Sequence, residues 1–195
     1  MKKWIAVILL AILCLFMVAC AADREPNGSA AVNDLTGQTL KLGSQMPNVQ
    51  LTDALGNSFT LYELLEEKKM VMLNFWFINC PYCVMEFPAI QGAYAQMADE
   101  VAIVAVNPYD TASQMISFAK EHELQFTMCP DDPGLSKAFG VSGYPTTVIV
   151  DRNGIVCLVQ PGAMPYETVF LEVFAHFTAQ EYETKLFQSF AEIMN

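Results

Sequence analysis

Cys80 and Cys83 are the residues of this chain whose type and spacing best suit them to chemistry. A Cys-x-x-Cys pair can cycle between dithiol and disulfide, trading electrons with a partner's sulfurs. Whether it does so depends on where it sits. The pair follows Met70 to Phe77, an apolar run broken only by Asn74, and it opens a helical segment reaching about Met97. A buried strand is therefore expected to hand over to a helix at Cys80. Pro81 suits the first helical position, which makes Cys80 the N-cap and Cys83 the third helical residue. A thiolate at Cys80 would accept backbone N–H bonds and face the positive end of the helix. Such surroundings bring a thiol pKa from ~8.5 toward about 7. That raises the thiolate fraction near neutrality from a few per cent to roughly half, for about 2 kcal/mol. Cys80 would then attack a substrate disulfide, and Cys83 would attack Cys80 to release the substrate reduced; run backward, the cycle oxidises a dithiol.

Other readings of the pair are weaker. Closing so short a loop as a purely structural disulfide gains only about 2 kcal/mol. A zinc site needs about four ligands, and there is no second Cys-x-x-Cys; His122 and His176 stand apart. Neither a metal nor a cofactor is expected.

A second element is Gly143-Tyr144-Pro145-Thr146-Thr147, directly before the apolar run Val148-Ile149-Val150. Proline cannot donate to a ladder, so it belongs at a strand's first position or at an edge. A cis Tyr144–Pro145 bond would turn the chain beside the active helix and expose the Tyr144 backbone to an extended substrate.

The elements that must position these residues follow from the apolar pattern. Val49–Thr52 and Ser58–Leu61 read as a hairpin turned at Gly56-Asn57, followed by a short helix over Tyr62–Lys68. Val101–Val106 is a second buried strand, and Thr111–Glu123 a second long helix. Phe126–Cys129 is a short strand and Pro133–Phe139 a short helix; Thr146–Val150 and Ile155–Val159 form another hairpin. The final helix of the domain is expected to start with Pro165 as its first residue and to bury Phe170, Val173, Phe174 and Phe177. Strands alternating with helices predict an α/β sheet covered on both faces. Cys129 and Cys157 fall near opposite edges of that sheet, so they are expected to be unpaired, buried, small apolar residues.

The ends of the chain have a different character. Of its 195 residues, 1–20 read as a targeting segment: Lys2 and Lys3 precede an apolar run from Trp4 to Val18, the pattern of a signal peptide. Met17-Val18-Ala19-Cys20 is similar to a bacterial lipobox, which makes Cys20 a lipid-attachment site; an uncleaved signal anchor is the alternative. Either places the domain outside the cytoplasm, tethered to the membrane. Residues 21–39 read as a flexible tether, 40–179 as one domain, and 180–195 as an amphipathic helical extension with Leu186, Phe187, Phe190, Ile193 and Met194 on one face. Two of the 10 basic residues lie ahead of the apolar run, leaving 8 against 21 acidic ones. That balance excludes a nucleic-acid partner, and a monomer is expected.

Taken together, Asn74-Phe75-Trp76, Cys80-Pro81-Tyr82-Cys83, Glu86-Phe87-Pro88, Gly140-Val141-Ser142-Gly143-Tyr144-Pro145 and Val150-Asp151-Arg152-Asn153-Gly154 resemble the TlpA/ResA-like branch of the thioredoxin superfamily. The resemblance spans about Leu40 to Thr178. It implies a thioredoxin-like three-layer α/β/α sandwich with an N-terminal β-hairpin, a nucleophile at Cys80, a resolving cysteine at Cys83, a cis-proline at Pro145 and an acid–base glutamate at Glu86. Trp76 and Tyr82, with Tyr144 and Pro145, are the expected substrate contacts. It further implies a protein-disulfide reductase fed by a membrane thiol relay of the CcdA or DsbD type, with cytochrome c maturation among the family's roles. A dithiol oxidant, a thiol peroxidase and a non-catalytic binding module are the alternatives. Two residues depart from the family pattern: Asn79 stands where Trp is usual, and Pro81-Tyr82 replaces the more common dipeptide.

Overall fold

A computed structural model describes residues 31–179. Seven strands and five helices alternate along it. The hairpin β1 (Gln50–Thr52) and β2 (Ser58–Thr60) leads into α1 (Leu61–Glu67), then β3 (Met70–Phe75) and α2 (Pro81–Met97). β4 (Val101–Asn107), α3 (Ala112–Glu121), β5 (Thr127–Pro130) and α4 (Leu135–Ala138) follow, and the chain ends with β6 (Thr146–Asp151), β7 (Val156–Pro161) and α5 (Glu167–Thr178). The five long-range strands form one mixed sheet in the order β5-β4-β3-β6-β7. β3 is parallel to β4 and antiparallel to β6, so it is the central strand.

Every residue of β3, β4 and β6 is buried, in keeping with their largely apolar sequences. Alternation along β3 divides its side chains between two cores. Met70, Met72 and Trp76 join Phe87, Ile90, Phe118, Phe170 and Phe174 beneath α2, α3 and α5. Val71, Leu73 and Phe75 join Leu61, Leu65, Leu135 and Ala138 beneath α1 and α4. This is the thioredoxin-like layering. Local signals agree with it: Thr60 and Thr111 each cap a helix in a reciprocal capping box with Glu63 and Gln114. Gly154, at φ +77°, turns the β6–β7 hairpin where a Cβ would lie 2.6 Å from the Gln45 side chain.

Three expectations need correction. Among the described residues, packing onto the domain is already present at Val32, ahead of Leu40. Val32 bridges in parallel to Val49, and Leu35 is buried with its N–H bonded to the Pro133 carbonyl. Two apolar residues in a polar stretch thus find an apolar surface to cover. β3 stops at Phe75, two residues early, because Phe77 leaves the sheet to pack on Tyr109 and Tyr144. α5 starts at Glu167 with Tyr166 as an extended N-cap, so Pro165 lies ahead of the helix. The N–H of Met164 donates to a side chain elsewhere, in the segment that leads up to the helix. Among the described residues no helix is long and apolar enough to cross a membrane. The targeting segment with Cys20, and the 180–195 extension, lie outside the described residues.

Candidate active site

The site is built where β3 leaves the sheet and α2 begins. Cys80 is the N-cap of α2 with extended backbone (φ −96°, ψ 102°), and Pro81 opens the helix. The Cys80 sulfur accepts the Cys83 N–H at 3.2 Å, satisfying one of the donors that a helix start leaves free. The two cysteines form a disulfide, with Cα atoms 5.3 Å apart. Cys83 is fully buried while Cys80 keeps 5% exposure, so of the pair only Cys80 can be met from outside. The turn before it is tied down twice. The Cys80 N–H bonds the Phe77 carbonyl, and the Ile78 N–H bonds the Asp110 carboxylate, which also takes the Asn107 side chain.

Glu86 lies one turn beyond Cys83 and is fully buried. Its Oε1 accepts from Asn74 Nδ2 at 2.9 Å and its Oε2 from the Met164 backbone N–H at 3.0 Å. Burial pushes its carboxyl up to about 7, against the two hydrogen bonds, which favour the charged form. A carboxyl that titrates near neutrality, one helical turn from the inner cysteine, can take up or supply a proton there. Asn74 in turn bonds Thr147 Oγ1 at 3.3 Å across the β3–β6 pairing.

The Tyr144–Pro145 bond is cis, as the turn before β6 suggested. Tyr144 forms one side of an aromatic triangle with Phe77 and Tyr109, with ring centroids 5.3–5.6 Å apart. The Tyr144 hydroxyl points to that of Tyr109 at 3.5 Å, and burial raises its pKa. Tyr82 is 65% exposed on the first turn of α2, open to a partner. Trp76 is different. It is fully buried between Phe87 and Phe118, at 4.9 and 5.0 Å, so the expectation of a substrate contact there is overturned. Its position just past the end of β3 faces the core beneath α2, and the large indole is core packing.

Sequence reasoning missed Met164, Phe77 and Tyr109. Met164 acts through its backbone N–H, 78 residues away from Glu86, and no side-chain pattern announces that. The two aromatic residues carry a signal only once the fold is known: each lies two residues past the C-terminal end of a buried strand, and those strands are parallel neighbours. Cys129 and Cys157 are buried and neither is in a disulfide; they lie in β5 and β7 at opposite flanks of the sheet. Among the described residues no cluster could hold a metal ion.

Comparison with known proteins agrees with this geometry. Residues 42–159 match the AhpC/TSA family. The chain is 29% identical to the thioredoxin-like protein YneN of Bacillus subtilis over 167 residues, covering 84% of this chain and 92% of that one. It is 33% identical to the thiol-disulfide oxidoreductase ResA of Halalkalibacterium halodurans over 138 residues, 68% of this chain and 77% of its relative. Among solved structures, Mycobacterium tuberculosis DsbF superposes with a TM-score of 0.59 at 26% identity, over 69% of this chain and 98% of that one. Bacillus subtilis StoA superposes at 0.52 and 25%, over 64% and 97%. With its bonded Cys-x-x-Cys at a helix start on a thioredoxin-like sheet, the chain belongs to the AhpC/TSA family of thioredoxin fold and is a thiol–disulfide oxidoreductase of the ResA and DsbE type.

Proposed function

We propose that this oxidoreductase reduces protein disulfides outside the cytoplasm through Cys80 and Cys83. The observation that supports it is Cys80 at the α2 N-cap, its sulfur accepting the Cys83 N–H, with Cys83 and Glu86 buried behind it. In the reduced protein the Cys80 thiolate attacks one sulfur of a substrate disulfide. A Cys80–substrate disulfide forms, and the other substrate sulfur leaves as a thiolate and takes a proton from water. Cys83 then loses its proton to the Glu86 carboxylate and attacks the Cys80 sulfur. The second substrate sulfur departs, and the two electrons lost by the protein dithiol reside in the substrate dithiol. The exposed Tyr82 and the Tyr144–Pro145 turn receive the substrate chain.

The protein disulfide is reduced again by a membrane thiol relay of the CcdA or DsbD type, and apocytochrome c is among the clients the ResA-like relatives suggest. Cys20 carries the lipid that tethers the chain to the membrane. An insulin-reduction assay tests the core of this reading: Cys80→Ser abolishes turnover to background, and Cys83→Ala accumulates a mixed disulfide with the substrate. A Cys80→Ser protein that retains activity defeats it. Direction is tested by the reduction potential, and a value near ~−120 mV, as for strong dithiol oxidants, would reverse the assignment.

A further inference from the structure

Asn74 is a buried amide with only one end in use. Its Nδ2 donates to Glu86 Oε1 and to Thr147 Oγ1, while its Oδ1 has no partner. An unpartnered buried acceptor in the middle of a central strand costs free energy unless another state of the site uses it. Glu86 supplies that other state. Its Oε2 is engaged by the Met164 backbone N–H, which can only donate, so Oε2 remains an acceptor whether or not the carboxyl is protonated. A proton taken up by Glu86 therefore goes to Oε1, the oxygen facing Asn74. Oε1–H then needs an acceptor, where Nδ2 offers a second donor.

Rotating the amide by half a turn exchanges its two ends, giving Oε1–H an acceptor and moving the NH2 group to the place where Oδ1 has no partner. Oδ1 then accepts from Oε1–H, and it accepts equally from the Thr147 hydroxyl, which can donate as well as accept. We propose that Asn74 is a positioning residue for Glu86 whose side-chain amide inverts as Glu86 gains and loses a proton at Oε1, so that both protonation states stay hydrogen-bonded. This rests on Glu86 being the group that handles the Cys83 proton. It explains an amide at a site where a carboxylate would repel Glu86 and an apolar side chain would strand it. Burial and the bonds from Met164 and Asn74 govern the carboxyl, and no charged side chain is among the causes of its shift. The titratable groups on the packed elements are Tyr82, Cys83 and Tyr94 on α2, Glu167, Glu172 and His176 on α5, and Asp151 at the far end of β6.

The test is an NMR titration of the oxidised full-length chain from pH 5 to 9, following the Glu86 carboxyl carbon and the Asn74 side-chain amide. The two signals are expected to share one midpoint, and the amide signal is expected to lose its pH dependence in Glu86→Gln. Asn74→Leu takes a charge-assisted bond from the ionised carboxyl and a weaker neutral one from the protonated form, so the Glu86 midpoint should rise by about one pH unit. The pH profile of insulin reduction should follow, with an approximately tenfold lower rate at pH 6. Asn74→Ala should move the midpoint the same way, and it serves if the leucine variant does not fold. An amide signal indifferent to the Glu86 midpoint overturns the proposal. So does a pH profile lost in Glu86→Gln but unmoved in both Asn74→Leu and Asn74→Ala. A Glu86→Gln protein that keeps the wild-type pH profile overturns the parent reading of Glu86, and the positioning role with it.

Discussion

Cys80 and Cys83 stand where a strand becomes a helix, whereas Cys129 and Cys157 stand within strands at the two flanks of the sheet. All four are buried or nearly so. What separates them is the backbone around each sulfur. Cys80 meets the free N–H groups of a helix start, which favour a thiolate. Cys129 donates its S–H to the Thr52 carbonyl and lies among Asp53, Asp131 and Asp132; burial above all, helped by those carboxylates, pushes its thiol up to about 12. Cys157 donates to the Ile155 carbonyl. Four strand spacings, roughly 19 Å, part Cys129 from Cys157, well beyond the ~7 Å that a disulfide tolerates between Cα atoms. Reactivity in this molecule is a property of helix ends, and strand interiors make a cysteine into a small apolar residue.

The largest effect that sharpens this contrast is kinetic. In the reduced, folded protein at pH 7, iodoacetamide should modify Cys80 about a thousandfold faster than Cys129, because the thiolate fractions differ by more than that. Peptide mapping by mass spectrometry reads the rates, and in concentrated urea the difference should shrink to a few-fold. Equal rates in the folded protein would erase the distinction.

Glu86 extends the contrast from sulfur to carboxyl, with an effect on stability. Its pKa is about 7 folded and near 4.5 unfolded, so the folded state holds the proton more tightly. Below pH 4.5 the group costs nothing. Between pH 4.5 and 7 folding loses stability as the buried carboxyl must ionise, and above 7 the cost levels at about 3 kcal/mol. Glu86→Gln should therefore stabilise the protein at pH 8 by up to about 3 kcal/mol and leave it unchanged at pH 4.5, as urea denaturation at the two pH values will read. A variant less stable at pH 8 contradicts the buried-charge account.

Smallest are the inert sulfurs. Cys129→Ala and Cys157→Ala should each cost on the order of 1 kcal/mol of stability, from the lost packing of one sulfur. Insulin reduction by either variant should stay within about twofold of the parent protein. Loss of activity without loss of stability would promote that cysteine into the redox machinery.

Much of this was legible along the chain, for identifiable reasons. The largely apolar runs at Met70–Phe75, Val101–Val106 and Thr146–Val150 suit strands covered on both faces, and they are so placed. Pro81 after Cys80 marked the helix start because proline needs no N–H there. Less legible were features in which a residue's partner is distant in sequence. Trp76 looked like a substrate contact beside the cysteines, yet strand alternation turns it inward against Phe87 and Phe118. Pro165 looked like a helix start, yet the helix begins at Glu167 with Tyr166 as its N-cap, and the Met164 N–H ahead of it donates to Glu86. Leu35 looked like part of a tether, yet a neighbouring apolar surface was there for it to cover.

Local periodicity, turn chemistry and the Cys-x-x-Cys spacing by themselves determined the order of elements, the layered sheet and the identity of the redox pair, because each of these acts over a few residues. Only the tertiary structure decided which polar atoms face Glu86, which oxygen of that carboxyl is left for a proton and which aromatic side chains reach the surface. Those outcomes depend on Asn74, Thr147 and Met164 being brought to one point from β3, β6 and the approach to α5, and burial there is what moves a carboxyl to neutrality.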